Sequence, residues 1–395
     1  MTPVRGPGPW AVVNLVAQIA LGLLVMTLPL PSMAEWPGTF GRSQSAVQLT
    51  FSGYVAAFGL LQLLYGPLSD RVGRRNVLLV GLALVVAGSL LAAAAADLPQ
   101  LVAARVLQGM GTAAGAVAGR ASVQDLFSGA QRTRVMAYVG MALGLCPPTG
   151  TLLGGWLHVH FGWQANFVLM AALALVLVLL AWRTMPASTA SATSAGAWLP
   201  AMVASYARLA RERVFLLYVA LLSLTVAAFY AFLAGAPLVL HGYGVAPQHM
   251  GLYIMTVPVS YIAGNFATSR LAQRLGEERL MAAGQLSTLC GLSLVALLAA
   301  LQWRTPLAFS LPLLLLGLGH GLLTPVVLSR TVGVIPALAG SAAAVAGLAQ
   351  QGVGAAAGYA VGWLRHDGPL QLATLMIACT LAATVAQWRL ARRPA

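Results

Sequence analysis

Lysine is absent from this chain of 395 residues, and acidic residues number only eight. All 22 basic residues are arginines, which gives a formal net charge of +14, yet charged residues make up just 8% of the sequence. So little charge on a chain that is 59% apolar, with a mean hydropathy of +0.84, excludes one soluble core. Cysteine is scarce too. Cys146, Cys290 and Cys379 lie in apolar segments without metal-type spacing, so they read as small core residues rather than metal ligands or a disulfide framework. A phosphate loop, a catalytic triad and an ATP-binding motif are all missing, which argues against an enzyme and against a primary pump.

What the chain does have is hydrocarbon. Twelve apolar runs, at 10–33, 45–66, 76–97, 98–124, 133–158, 164–182, 214–240, 247–269, 280–302, 306–329, 336–363 and 369–390, have the length a bilayer-spanning helix requires. The expected fold is an all-α membrane protein of twelve transmembrane helices. The arginines gather in short clusters between these runs, a topology signal and not a nucleic-acid face. With both termini in the cytoplasm, only Arg42, Arg304 and Arg365 fall on the outer side, while Arg105 and Arg120 fall inside a span. The one long connection, 184–213, opens with the low-complexity MPASTASATSAG and ends in the basic RLARER. It divides the chain into six-helix halves, 1–183 and 214–395. LAQRLGEER at 271–279 lies over LSDRVGRRN at 68–76, with Gly276 on Gly73, so the halves read as two pseudo-repeats of like orientation around a central site.

The stretch YGPLSDRVGRRN at 65–76 concentrates charge between two apolar runs. Gly66 and Gly73 suit a tight turn, and Pro67 limits how far the preceding helix continues. Arg71, Arg74 and Arg75 are expected to stay in water, near anionic headgroups or acids on adjacent helix ends. Asp70 suits a helix N-terminus from the other half. Such a contact would close the inner side and break on switching.

At these residues the chain resembles the major facilitator superfamily, and within it the drug:proton antiporters of the Bcr/CflA type. GPLSDRVGRR at 66–75 matches the signature of the loop between helices two and three, and RVLQGMGTAAG at 105–115 that of the fourth helix. VQDLF at 123–127, CPPTGTLLGGW at 146–156, FGW at 161–163, GLLTP at 321–325 and AGSAAAVAGLAQ at 339–350 extend the likeness across both halves. The resemblance implies the major facilitator fold and an inner-membrane secondary transporter. It also implies that Asp125 joins Asp70, Arg71 and Arg75 in an inner gate, and that the fifth helix serves antiport. Gly144, Pro147, Gly150, Gly154 and Gly155 make that helix smooth and bendable. Thr151 stands where the family pattern has a second proline.

Arg105 falls within the fourth span, where an ionisable group needs a cavity or a partner. In similar transporters the matching arginine belongs to a polar network associated with substrate and proton exchange. Gln108 lies one turn later on the same face. Relatives often carry an acid in the first helix, but here LLVMTLPLPSMAEW has none before Glu35, and no acid falls mid-membrane. A cavity with an arginine and no carboxylate repels lipophilic cations and accepts neutral or anionic solutes. His320, in LGLGHGLLTP, has the side chain suited to carrying protons near neutral pH. Asn14, Gln18, Gln48, Tyr54, Tyr230, Tyr253, Asn265, Gln285 and Gln350 are further cavity candidates, and Trp10, Trp163 and Trp303 read as interface anchors.

The expectation is thus a monomeric exporter of the bacterial inner membrane, working by alternating access. Its cargo is an amphipathic neutral or anionic molecule, an antibiotic or an endogenous metabolite such as a siderophore. It needs no cofactor or metal and draws on the proton gradient, and its partners are the small-molecule substrate and the lipid bilayer. A non-transporting membrane sensor and an importer of a small polar solute are the alternatives.

Overall fold

The computed structural model describes residues 8–186, 198–365 and 368–392. These residues are almost wholly helical and form no strand. The chain divides into two compact units, Met1–Arg42 with Leu49–Ala195, and Ser43–Gln48 with Gly196–Ala395. In chain order, the first helices are α1 (Pro9–Thr27), a 3-10 turn (Leu30–Ala34), α2 (Trp36–Phe40), α3 (Gln44–Val72), α4 (Arg74–Ala93), α5 (Leu98–Leu126), α6 (Gly129–Phe161) and α7 (Gln164–Thr184). Then come α8 (Trp198–Arg211), α9 (Arg213–Gly242), α10 (Pro247–Ile254), α11 (Thr256–Leu275), α12 (Glu277–Ala300), α13 (Pro306–Ser310), α14 (Leu313–Gly333), α15 (Ala339–Val361) and α16 (Leu370–Ala391).

Every expected span falls on helix. Ten of the helical stretches are long and apolar enough to cross a membrane. The other two expected spans are interrupted or diluted: one breaks at Met255 into α10 and α11, and α15 is built largely of alanine and glycine around Gln350 and Gln351.

Both units use the same packing scheme. In the first, α1 packs on α5, α6 and α7, and α4 packs on α5 and α7. In the second, α9 packs on α14, α15 and α16, and α12 packs on α14 and α16. These sets coincide when α1, α4, α5, α6 and α7 are laid on α9, α12, α14, α15 and α16. Glycine makes the contacts close. A Cβ at Gly111 of α5 would strike the Gly81 carbonyl of α4, and one at Gly319 of α14 would strike the Gly284 carbonyl of α12. Without hydrophobic drive between helices in lipid, such backbone approach is the main source of packing attraction.

Four expectations are corrected. Gly66 and Pro67 do not form the turn: α3 runs through both and ends at Val72, leaving Gly73 alone, with φ 94°, to reverse the chain. The residue before a proline is normally pushed out of the α region by its Cβ, and glycine has none. The connection 184–213 is not wholly a loop, because its latter part is α8, whose Leu209 is fully buried beside Phe215, Val219, Ala342 and Ala346. Its low-complexity start, 187–197, lies outside the described residues. Cys290 is exposed on the unit's surface and not in its core. Trp163 is only 8% exposed, edge-on to Trp36, Phe40 and Phe167, whereas Trp10 and Trp303 are exposed as anchors should be.

Candidate transport site

In the first unit, α5 carries a polar row into the interior. Arg105 is 1% exposed and is the only guanidinium or carboxylate that is buried among the described residues. Its Nε donates to the Thr50 carbonyl at 3.2 Å, and its Nη1 to the Val25 carbonyl at 3.0 Å and to Gln108 Oε1 at 2.6 Å. The guanidinium also sits 4.5 Å from the centre of the Tyr54 ring, a cation–π contact. Gln108 passes the network on, its Nε2 donating to Ser89 Oγ at 2.7 Å. Tyr54 donates from its hydroxyl to the Gly22 carbonyl at 2.7 Å, and that hydroxyl lies 2.8 Å from Thr112 Oγ1. Arg105, Gln108, Thr112 and Tyr54 thus join α5 to α1, α3 and α4. The interacting groups are neutral, so the positive charge is solvated but not cancelled.

Asn14 and Gln18 form a separate pair on α1. Gln18 Nε2 donates to Asn14 Oδ1 at 2.8 Å, and Asn14 Nδ2 to Thr184 Oγ1 at 3.3 Å. Both are essentially unexposed, and Gln18 Oε1 is buried without a partner.

The charged turn is held by Arg74. Its Nη2 lies 2.5 Å from Asp70 Oδ1 and its Nε 3.1 Å from Asp125 Oδ2, and Nη1 also donates to Ser69 Oγ. Arg74 therefore bridges the two acids. Arg75 reaches the Trp182 carbonyl at 2.6 Å. Asp70 and Asp125 are more than half exposed, at 57% and 54% of their side-chain surface.

Helix α6 is unbroken through Pro147 and Pro148. Thr151 donates to the Pro147 carbonyl at 2.8 Å. Gly150 and Gly154 lie against Thr27 and Leu28, where a Cβ would collide, while Gly144 is half-buried and Gly155 buried. This face is a tight seam along the α1 segment.

The second unit presents fewer polar groups. Tyr230 donates to Gln351 Oε1 at 2.8 Å, whereas Gln350 turns back to the Ala346 carbonyl of its own helix at 3.1 Å. Gln351 was therefore the missed member of the pair; Gly354, one turn further along the helix, has no room for a Cβ beside the Tyr230 ring. His320 is 6% exposed and shares a helix face with the buried Leu313, Leu316, Leu323 and Val327. Arg330 Nε lies 2.6 Å from Glu277 Oε2 and its Nη1 donates to the Tyr218 hydroxyl at 3.4 Å. At the other end of the first unit, His158 Nε2 lies 2.9 Å from Glu35 Oε2.

The sequence matches the Major Facilitator Superfamily over residues 10–359. It is 30% identical over 348 residues to Multidrug resistance protein D of Escherichia coli (strain K12), covering 84% of this chain and 83% of that protein. Identity with the Chloramphenicol resistance protein of Pseudomonas aeruginosa is 28% over 305 residues, covering 76% and 71%. Identity with the Bicyclomycin resistance protein homolog of Haemophilus influenzae (strain ATCC 51907 / DSM 11121 / KW20 / Rd) is 27% over 392 residues, covering 95% and 96%. Among solved structures, the D-xylose-proton symporter superposes with a TM-score of 0.74 at 18% identity, over 94% of this chain and 96% of that one. The nucleoside transporter NupG gives the same TM-score at 12% identity, over 96% and 99%. These two likenesses establish the fold alone. Matching motifs, the packing scheme shared by the two units and relatives matched over most of their length agree, and the chain belongs to the major facilitator superfamily: it is a multi-pass membrane transporter of the Bcr/CflA kind, not an enzyme.

Proposed function

We propose that this protein exports an amphipathic neutral or anionic small molecule across the bacterial inner membrane, by alternating access and in exchange for protons. One observation carries the choice of cargo. The buried charge of Arg105 is met only by carbonyls, an amide and an aromatic ring, and none of the described carboxylates is buried. A positive interior without a counter-anion disfavours a cationic drug and favours an acceptor-rich or anionic one. Arg120, exposed on α5 although it lies within a span, adds a second cation that has to meet water or a solute. The relatives named for multidrug and chloramphenicol resistance support an exported antibiotic, and an endogenous metabolite such as a siderophore has the same chemistry. Both termini on the cytoplasmic side and a monomeric working unit complete the reading. The Arg74 bridge between Asp70 and Asp125 would then act as an inner latch.

Cells or proteoliposomes bearing the protein are tested with three probes: chloramphenicol, a carboxylate-bearing dye, and a permanently cationic dye. Efflux of the first two, with the third unmoved, is the expected result. Efflux of the cationic dye alone overturns the cargo assignment. Proton exchange has its own test. Transport by His320→Gln is expected to lose its pH dependence, and an unchanged profile removes His320 from the proton path.

A further inference from the structure

The second unit has a cavity of about 450 Å3 where the start of α9 meets the end of α16, lined by Arg213, Leu216, Leu217 and Arg389. Both arginines are exposed, and neither forms an ion pair among the described residues. None of the acids described in this unit lines the cavity, although Glu212 is the chain neighbour of Arg213 and caps the start of α9. Glu212 accepts from the Val214 backbone amide at 3.2 Å, Glu277 is paired with Arg330, and Glu278 is exposed on the first turn of α12. Leu216 is 44% exposed, so the apolar wall opens outward from the core. One turn beyond the cavity, Arg392 stacks 3.6 Å over the exposed Trp388 ring.

We propose that this cavity binds the headgroup of an anionic glycerophospholipid, with its phosphate between the Arg213 and Arg389 guanidinium groups and an acyl chain along Leu216 and Leu217. Guanidinium forks match phosphate oxygens two at a time and give up hydration more readily than an ammonium does. The adjoining leucines select a lipid over a free anion, because a dissolved phosphate leaves that wall facing water. Basic clefts between span helices on the cytoplasmic side suit acidic headgroups of that leaflet. The inference rests on the both-ends-inside orientation and is independent of the cargo.

Full-length protein is purified in detergent, offered phosphatidylglycerol or phosphatidylcholine, and its retained lipid counted by native mass spectrometry. The wild type is expected to retain phosphatidylglycerol in preference to phosphatidylcholine. Arg213→Gln with Arg389→Gln should lower that retention by roughly thirty-fold, the product of two surface arginines acting on an acidic lipid. Leu216→Trp keeps both charges, fills the cleft and should weaken retention as well, whereas Arg365→Gln leaves it intact. Equal retention of the two lipids, wild-type retention by the double variant, or displacement by millimolar inorganic phosphate overturns the proposal. A reporter fused to each terminus reads orientation separately, so a reversed topology is told apart from an empty cleft.

Discussion

At the start of α4, Gly73 takes φ 94° and ψ 143°; at the start of α12, 203 residues later, Gly276 takes φ 81° and ψ 151°. Both glycines begin the next helix in the same left-handed conformation, and both turns are tied to the end of a helix that follows. The charges are inverted. In the first unit the cation, Arg74, sits on the turn and the anion, Asp125, on α5; in the second the anion, Glu277, sits on the turn and the cation, Arg330, on α14. What recurs between the halves is the attachment, and either sign can supply it. Their interiors differ more. Gly111 and Gly319 make equivalent contacts, and in that register Arg105, Gln108 and Thr112 correspond to Leu313, Leu316 and His320. The first unit holds the buried charge, while the second keeps the scaffold and fills the same places mostly with hydrocarbon.

The largest effect should come from testing that interior difference. In Arg105→Leu, transport per folded molecule is expected to fall by roughly 100-fold, as losing about 3 kcal/mol of directed interactions dictates. Leu313→Ala should instead cost about 2–4 kcal/mol of stability while leaving transport per folded molecule near wild type. If the two variants behave alike in an uptake assay normalised for folded protein, the polar and apolar halves are not functionally distinct. Next come the seams. Gly111→Val and Gly319→Val should each destabilise by about 1–3 kcal/mol, seen as matched drops in thermal unfolding in detergent. Damage in only one would break the equivalence of α5 and α14.

The turns should respond less. Gly73→Ala and Gly276→Ala each force a Cβ into left-handed backbone, at about 1–2 kcal/mol in the same melting assay. The smallest change in stability is expected for Arg330→Gln, within about 1 kcal/mol, because both partners of that pair are partly exposed, at 36% and 43%. Reversing the pair with Glu277→Arg and Arg330→Glu should restore any transport that Arg330→Gln loses. Failure to restore it would mean that the sign matters after all.

Much of this was legible in the residues. Apolar run length placed all the span helices, because bilayer thickness leaves helices little latitude. Gly81 and Gly88 recur as Gly284 and Gly291 at the same spacing of 203 as Gly73 and Gly276, a repeat that extends well past the charged turn. Arg105 and Gln108 were legible as a pair because one turn of helix stacks them. The Tyr230–Gln351 bond was not, since neighbouring glutamines lie about 100° apart around a helix and only its rotation in the packed unit decides which one meets Tyr230. Nor could spacing show which arginine bridges Asp70 and Asp125: Asp125 lies 51 residues from Arg74 and meets it only through the packing of α4 on α5.

The glycine seams between α4 and α5, and between α12 and α14, also bear on how cargo exchange can proceed. Where backbone touches backbone, sliding one helix along the other would drive a side chain into a carbonyl, so each seam is locked in registry. Cross-links placed across either seam should therefore be silent in a flux assay. The strokes of the cycle then have to come from bending or pivoting elsewhere, and α4–α5 and α12–α14 would travel through it as fixed pairs.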